Sequence, residues 1–227
     1  MPEIVFCEQL DENGVPTAEW LSARCGRITA SRMCDLMAYS KAKGKEGQEL
    51  KARADYRDEL LAERLSGSMS QHFVTAEMKR GIAEEGYARA SYEMRENVMV
   101  EQIGFAIHSD LKFCGASPDG ILPEQRKIIE IKNLTTVNHI ALWRSRQVPS
   151  DYYDQMQWTM FCMDYECGDF VSCDSRLAER NPHLELLIIP AARNPVRIAE
   201  LEAEAVKMNA ELEAMMELLS PQAVQTL

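Results

Sequence analysis

The sequence predicts an α/β protein, a mixed central β-sheet flanked by helices. Three observations carry this reading. Apolar residues recur at helical spacing in five segments. Short runs rich in β-branched residues lie between them. The order is helices, strands, helix, strands, helix, which suits a sheet covered by helices.

Each element has its own local signal. Thr29 or Ser31 is placed to cap a helix through Met33, Leu36 and Met37. Leu50 to Ser66 forms a second helix, with Leu50, Ala54, Leu61 and Leu65 near helical spacing and Gly67 as its stop. Thr75 to Tyr92 is a third, in which Gly81 and Gly86 mark close packing or a kink. Asn97 to Ile107 alternates through Val98, Val100, Ile103, Phe105 and Ile107 and reads as strands. Phe113 to Ala116 leads into the turn signal Ser117-Pro118-Asp119-Gly120. Ile121-Leu122 and Ile128 to Ile131 are short strands around a polar hairpin, PEQRK. Tyr152 to Tyr165 is a helix with Met156, Met160 and Met163 on one stripe. Phe170 to Cys173 and Leu184 to Ile189 are strands, the second long enough to be buried. Arg197 to Leu219 is a long helix with apolar residues at three- and four-residue steps.

The chain has 227 residues. At this size about 70% of the extended surface is buried on folding, enough for one substantial core. A single domain over residues 1–227 is expected, its core about 20–190 and its last helix about 197–219. No apolar run approaches the ~18 residues of a membrane span. Residues 1–10 carry Glu3 and Glu8 and no basic region, so they do not read as a secretory signal. Seven cysteines, scattered and odd in number, are expected as reduced thiols in a cytoplasmic protein.

Net charge is 25 − 36 = −11, which argues against a globally basic nucleic-acid binder. The charge is uneven, however. Residues 20–57 hold nine basic and four acidic side chains, and residues 199–219 hold six glutamates and one lysine. The polar stretch Ser40 to Gln48 reads as a surface loop carrying Lys41, Lys43 and Lys45. With Arg53 and Arg57 behind it, it is suited to DNA-backbone contact without base reading. The acidic segment reads first as a solvated helix face.

The chemistry concentrates around residues 117–132. Asp119 sits in a turn after one strand. Glu130 and Lys132 are two apart on the next, so both side chains point to one face. A tight connection between the strands brings two carboxylates and an ammonium together at one end of a sheet. Hard oxygen donors of this kind suit Mg²⁺ or Mn²⁺. A lysine beside such an ion orients an attacking water or lowers its pKa. The combination is suited to phosphodiester hydrolysis.

Pro118-Asp119 followed by Glu130-Ile131-Lys132 resembles the PD-(D/E)xK nuclease signature. Five segments occur in the order found in phage lambda-type (viral recombinase) exonucleases: RCGRITAS at 24–31, GIAEEGYA at 81–88, GASPDG at 115–120, IEIK at 129–132 and YYDQMQ at 152–157. The resemblance spans about Trp20 to Tyr165. It implies a restriction-endonuclease-like core and a magnesium- or manganese-dependent, two-metal exonuclease. By resemblance, Asp119, Glu130 and the Ile131 carbonyl hold metal, Lys132 acts on the nucleophilic water, and Glu85 joins the catalytic set. Arg24, Ser31, Ser117 and Gln155 form a 5′-phosphate pocket. Met78 is the apolar wedge at the terminal base pair, and Tyr152 lies in the same region.

The resemblance further implies processive 5′-to-3′ digestion of linear duplex DNA, releasing 5′-mononucleotides and leaving a 3′ overhang. It implies a ring-shaped homotrimer, a single-strand annealing protein as partner, and a phage or prophage origin in a bacterial cytoplasm. A ring needs basic residues only on its lining, which accommodates a net negative charge. Two other readings compete: a site- or structure-specific endonuclease on the same core, and a catalytically inert DNA-end-binding protein. The cysteine spacings match neither a zinc nor an iron–sulfur site, and no histidine has a ligand-like spacing. The segment after Lys132, NLTTVNHIALWR, carries no recognisable motif.

Overall fold

A computed structural model describes residues 1–12, 14–69 and 76–220, without the side chains of 76–79 and 81–83. Met78, the expected wedge, therefore lies outside what is described. Seven α-helices and eight strands make up the described chain, with 3₁₀ turns between some of them. The strands are β1 (Glu3–Val5), β2 (Ile28–Thr29), β3 (Phe105–Ile107), β4 (Cys114–Ala116), β5 (Gly120–Leu122), β6 (Lys127–Lys132), β7 (Cys167–Cys173) and β8 (Leu186–Ala192). The helices are α1 (Ala18–Arg24), α2 (Met33–Leu36), α3 (Lys51–Ser66), α4 (Ala76–Glu96), α5 (Thr136–Ser145), α6 (Ser150–Met163) and α7 (Pro195–Leu218).

The strands form two four-stranded sheets, β1-β3-β4-β2 and β5-β6-β7-β8. Each is mixed. In the first, β2 runs parallel to β4 and the other pairs are antiparallel. In the second, β6 and β7 are parallel, with antiparallel β5 and β8 outside them. The α/β class and mixed pairing agree with the sequence. The division into two sheets was not visible there. Residues 117–119 pass directly from β4 in one sheet to β5 in the other.

Several elements depart from expectation. Only Phe105–Ile107 of the 97–107 stretch is strand. Val98 and Val100 instead pack onto a cluster with Ile129, Ile131 and Val171, so their alternation serves packing without a ladder. The PEQRK segment is one 3₁₀ turn, Pro123–Gln125, closed by Arg126 at φ 49°. The helix expected through Met33 is a 3₁₀ turn, Ala30–Arg32, followed by a single α-turn. Thr29 makes no side-chain cap there, and the Ser31 hydroxyl faces Arg24 instead. Helix α4 continues to Glu96. A Cβ at Gly86 would meet nothing within 4 Å, so this glycine does not mark close packing.

Helix α5 lies in the segment without a motif. Its start is fixed by Thr135, whose hydroxyl accepts the Asn138 N–H. Its His139 is fully buried, bonded to Ser172 and the Leu184 carbonyl. Helix α3 ends as predicted at Gly67, at φ 69°, a left-handed cap that glycine adopts without a Cβ penalty. Helix α7 starts on Asn194, which accepts the Arg197 N–H, with Pro195 in the first turn, a position where the missing N–H costs nothing.

Among the described residues the core forms three clusters. Ile28, Met33, Leu36, Tyr56, Leu60 and Trp158 pack with Leu201, Ala205, Met208 and Leu212 of α7. The methionine stripe of α6 packs with Ile128, Phe170 and Leu187. Ala88 and Tyr92 of α4 cover Ile129, Ile131 and Val171. Helices α4 and α6 thus flank β6 on opposite faces, which places their polar residues beside the end of that strand.

Candidate active site

Strand β6 sorts its residues by parity. Ile129 and Ile131 point to the α4 side and anchor the strand. Ile128, Glu130 and Lys132 share the other face. Glu130 is 0% exposed. Its Oε1 accepts from the Lys132 ammonium, and also from the Gln155 amide on α6 at 2.6 Å. Its Oε2 is buried without a hydrogen-bond partner.

Asp119 approaches from the preceding turn. Its Oδ2 accepts the Ile131 N–H at 2.7 Å and lies 3.7 Å from the Lys132 Nζ. Gly120 permits this approach: a Cβ there would stand 2.2 Å from Val100 Cγ1. The Lys132 Nζ also donates to the Ile131 carbonyl at 3.2 Å and sits 5.5 Å from the Tyr152 ring centroid. Asp119, Glu130 and Lys132 therefore converge as their spacing predicts.

Glu85 faces this group from α4. Burial raises its pKa, the Asp119 charge raises it further, and Arg89 at 2.6 Å opposes both. Burial also pushes the Glu130 carboxyl up to about 7, against the pull of Lys132. The Lys132 ammonium has its pKa raised: burial disfavours the charge, but the Glu130 and Asp119 carboxylates outweigh it.

These features test whether the residues fit a divalent ion. The oxygens of Asp119, Glu130 and Ile131 already surround one cation, the lysine ammonium. One carboxylate oxygen stays buried and unpaired, costly without a positive partner. All the donors are hard oxygens. The set fits Mg²⁺ or Mn²⁺. Among the described residues no three or more His, Cys, Asp or Glu side chains form a ready metal cluster. The donors available to an ion here would be two carboxylates and a main-chain carbonyl.

A second polar group lies on the other side of the turn. Arg24, at the end of α1, reaches Ser117 Oγ at 3.2 Å and Ser31 Oγ at 3.4 Å. Burial pushes its guanidinium down to about 10, and its Nε has no partner. Trp20, which belongs to no sequence motif, completes this group. Its indole N–H donates to Ser117 Oγ at 2.9 Å, and its ring lies 4.3 Å from the Arg24 guanidinium carbon. Four-residue spacing from Arg24 is the available signal, but the 7 residues of α1 are too short a stretch for helical periodicity to stand out.

Gln155, expected with Arg24, has its amide on Glu130 instead. Lys41, Lys43 and Lys45 lie in an exposed loop, closed at its base by Ser40 N–H to Gln48 O at 2.8 Å. Arg53 and Arg57 do not stand free behind it. Arg53 is 1% exposed and bonded to Glu49 and Glu211, and Arg57 bonds the same two carboxylates. Two glutamates of the acidic segment, Glu204 and Glu211, are thus ion-pair partners, not only solvated charges. All seven cysteines are free thiols.

Fold and site together define a PD-(D/E)xK, restriction-endonuclease-like core. Residues 19–166 match the YqaJ-like viral recombinase domain, and the chain belongs to that family. It is similar to an alkaline exonuclease, LHK-Exo, from Laribacter hongkongensis, with 34% identity, TM-score 0.81, and coverage of 93% of this chain and 100% of that one. The structure of LHK-Exo in complex with dAMP matches equally well. A phage-related exonuclease from Haemophilus somnus 129PT shares the fold at 13% identity and TM-score 0.64, over 86% of this chain and 96% of that one. Among curated protein sequences no relative matches.

Proposed function

We propose that this chain is a divalent-metal-dependent exonuclease that degrades one strand of linear duplex DNA from a 5′-phosphorylated end. The observation that carries the reading is the meeting of Asp119, Glu130 and Lys132 around one point, next to the Arg24–Ser31–Ser117 group. The 34% identical relative is an alkaline exonuclease, and it binds dAMP, the product class proposed here.

Asp119, Glu130 and the Ile131 carbonyl hold the metal. When bound, two Mg²⁺ or Mn²⁺ ions supply charge for the attacking and leaving oxygens of the phosphodiester. Gln155 fixes the Glu130 carboxylate. Lys132 holds the nucleophilic water by its ammonium, and Glu85 accepts hydrogen bonds from water on the α4 side. Arg24 offers a guanidinium fork, and Ser31 and Ser117 offer hydroxyls, for the terminal phosphate. Trp20 limits water around that fork. Met78 serves as the wedge, Tyr152 contacts the strand near Lys132, and Lys41, Lys43 and Lys45 contact backbone phosphates.

The finer reading is processive 5′-to-3′ digestion by a ring of three chains. It releases mononucleotides and passes a 3′ overhang to a single-strand annealing protein in the host cytoplasm. A basic segment within a chain of net charge −11 is consistent with a positive lining and a negative exterior.

The test uses end-labelled linear duplex, with and without a 5′-phosphate, incubated with Mg²⁺ and either wild type or Lys132→Ala. The expected result is mononucleotide release from phosphorylated ends by wild type, abolished in the variant. Cutting of closed circles would support an endonuclease, and binding without release an inert end-binding protein. Sedimentation of a persistent monomer would overturn the ring.

A further inference from the structure

We infer that the N-terminal segment Glu8–Thr17 is a spacer that sets the angle between the anion pocket and the metal-binding turn, with Gln9 and Thr17 as its positioning residues. The inference rests on the pocket and metal site proposed above. Both residues precede the matched family region, which begins at residue 19.

The Gln9 amide nitrogen donates to the Ile103 carbonyl at 3.1 Å and to the Pro118 carbonyl at 3.2 Å. Both amide hydrogens are used. Pro118 stands between Ser117, which contacts Arg24, and Asp119, which contacts Ile131. Its ring fixes φ. The dihedral left to set is ψ, and that angle decides how Asp119 faces relative to Ser117. A hydrogen bond on the Pro118 carbonyl holds the peptide plane on which ψ depends.

The other end of the segment holds the pocket. The Thr17 N–H donates to the Gln9 carbonyl at 3.1 Å, and the Thr17 hydroxyl donates to the Glu8 carbonyl at 2.6 Å. The same hydroxyl accepts the Trp20 N–H at 3.3 Å as the cap of α1. Helix α1 carries Trp20 and Arg24, and both reach Ser117. The contacts therefore close a circuit: Gln9 to Thr17, α1 to Ser117, and Pro118 back to Gln9. Within the segment the Asp11 N–H also donates to the Val15 carbonyl at 2.8 Å.

A circuit of this kind holds the terminal phosphate at a fixed offset from the metal oxygens. Small misplacements of a reacting group cost up to about 10²-fold in rate. Breaking the circuit should lower turnover while leaving the pocket's own donors intact.

The experiment compares wild type with Gln9→Met, which keeps the volume and removes both donors. Thr17→Val keeps the backbone bond to Gln9 but removes the hydroxyl that ties Glu8 to the cap of α1, and Thr17→Ser keeps that hydroxyl. Rates are measured on 5′-phosphorylated and 5′-hydroxyl duplex, and hydrogen exchange is followed in peptides covering 117–122 without metal. Expected for Gln9→Met and Thr17→Val are a kcat about tenfold lower, a KM within about twofold, a reduced advantage of phosphate over hydroxyl ends, and faster exchange. Thr17→Ser should behave as wild type. If Gln9→Met melts early, Thr17→Val carries the comparison. A wild type indifferent to the 5′-phosphate overturns pocket and spacer together. A wild type that prefers the phosphate, with preference and exchange unchanged in the folded variants, overturns the spacer alone.

Discussion

Gln155 donates its side-chain amide to Glu130 at 2.6 Å, across the gap between helix α6 and strand β6. The bond occupies the same carboxylate oxygen that Lys132 contacts and leaves the other unpaired. In the proposed site, Gln155 thereby selects which oxygen of Glu130 is open to a metal. Gln155→Leu should weaken Mn²⁺ binding several-fold, in line with about 1 kcal/mol for the removal of one hydrogen bond. Calorimetric titration of Mn²⁺ into wild type and variant checks this.

The raised pKa of Glu130 gives a pH dependence. Burial holds its folded-state pKa at about 7, above the ordinary 4.5. Between those values the folded metal-free protein binds more protons than the unfolded chain, so its stability falls as pH rises through this window. Metal binding requires the deprotonated form. The metal-free melting temperature should therefore drop from pH 5 to pH 8, and the rise in melting temperature on adding Mg²⁺ should be larger at pH 8. Thermal melts at both pH values, with Glu130→Gln as control, measure both effects.

Arg53 joins α3 to α7 through Glu211 and pins the lysine loop through Glu49. Its side chain is buried among carboxylates, so removing it leaves Glu49 and Glu211 to share the Arg57 guanidinium. Arg53→Met should cost about 3 kcal/mol, read as a lower melting temperature and a lower denaturant midpoint.

Burial disfavours the charged form of Glu211, but hydrogen bonds from Arg53 and Arg57 outweigh this and lower its pKa. Stability from this network is present above the ordinary carboxylate pKa and is lost as pH falls through the depressed value. Acid titration of wild type should therefore remove a contribution that Arg53→Met lacks. Parallel denaturant curves from pH 6 to pH 3 resolve it.

Lys41, Lys43 and Lys45 are exposed on a loop whose base is held by ion pairs elsewhere. Replacing all three with glutamate should leave the melting temperature within a few degrees. DNA affinity should fall, and the salt dependence should flatten by about one unit of slope for each phosphate no longer neutralised. Fluorescence anisotropy on duplex DNA across a salt series reads both.

The convergence of Asp119, Glu130 and Lys132 was legible in the sequence because they are close in the chain. Two-residue periodicity on one strand places Glu130 beside Lys132, and a turn signal eleven residues earlier places Asp119 near them. Helices α3, α6 and α7 were legible from apolar spacing and end signals. The two-sheet division was not, since short strands carry no mark of their partners. Helix α5 was hidden because its Val137 is exposed while its anchor is a buried histidine bonded to residues 33 and 45 positions away, so side-chain polarity does not mark its inward face.

By itself the sequence determined the α/β class, the family and the meeting of Asp119, Glu130 and Lys132, because local periodicity and short spacings suffice for these. Only the tertiary structure decided what lies across the chain from them. It sent Gln155 to Glu130, consumed Arg53 and Arg57 in ion pairs with α7, brought Trp20 to Ser117, and tied Gln9 to Pro118. Each joins distant segments, set by how helices pack on the sheets, and no local pattern encodes the partner.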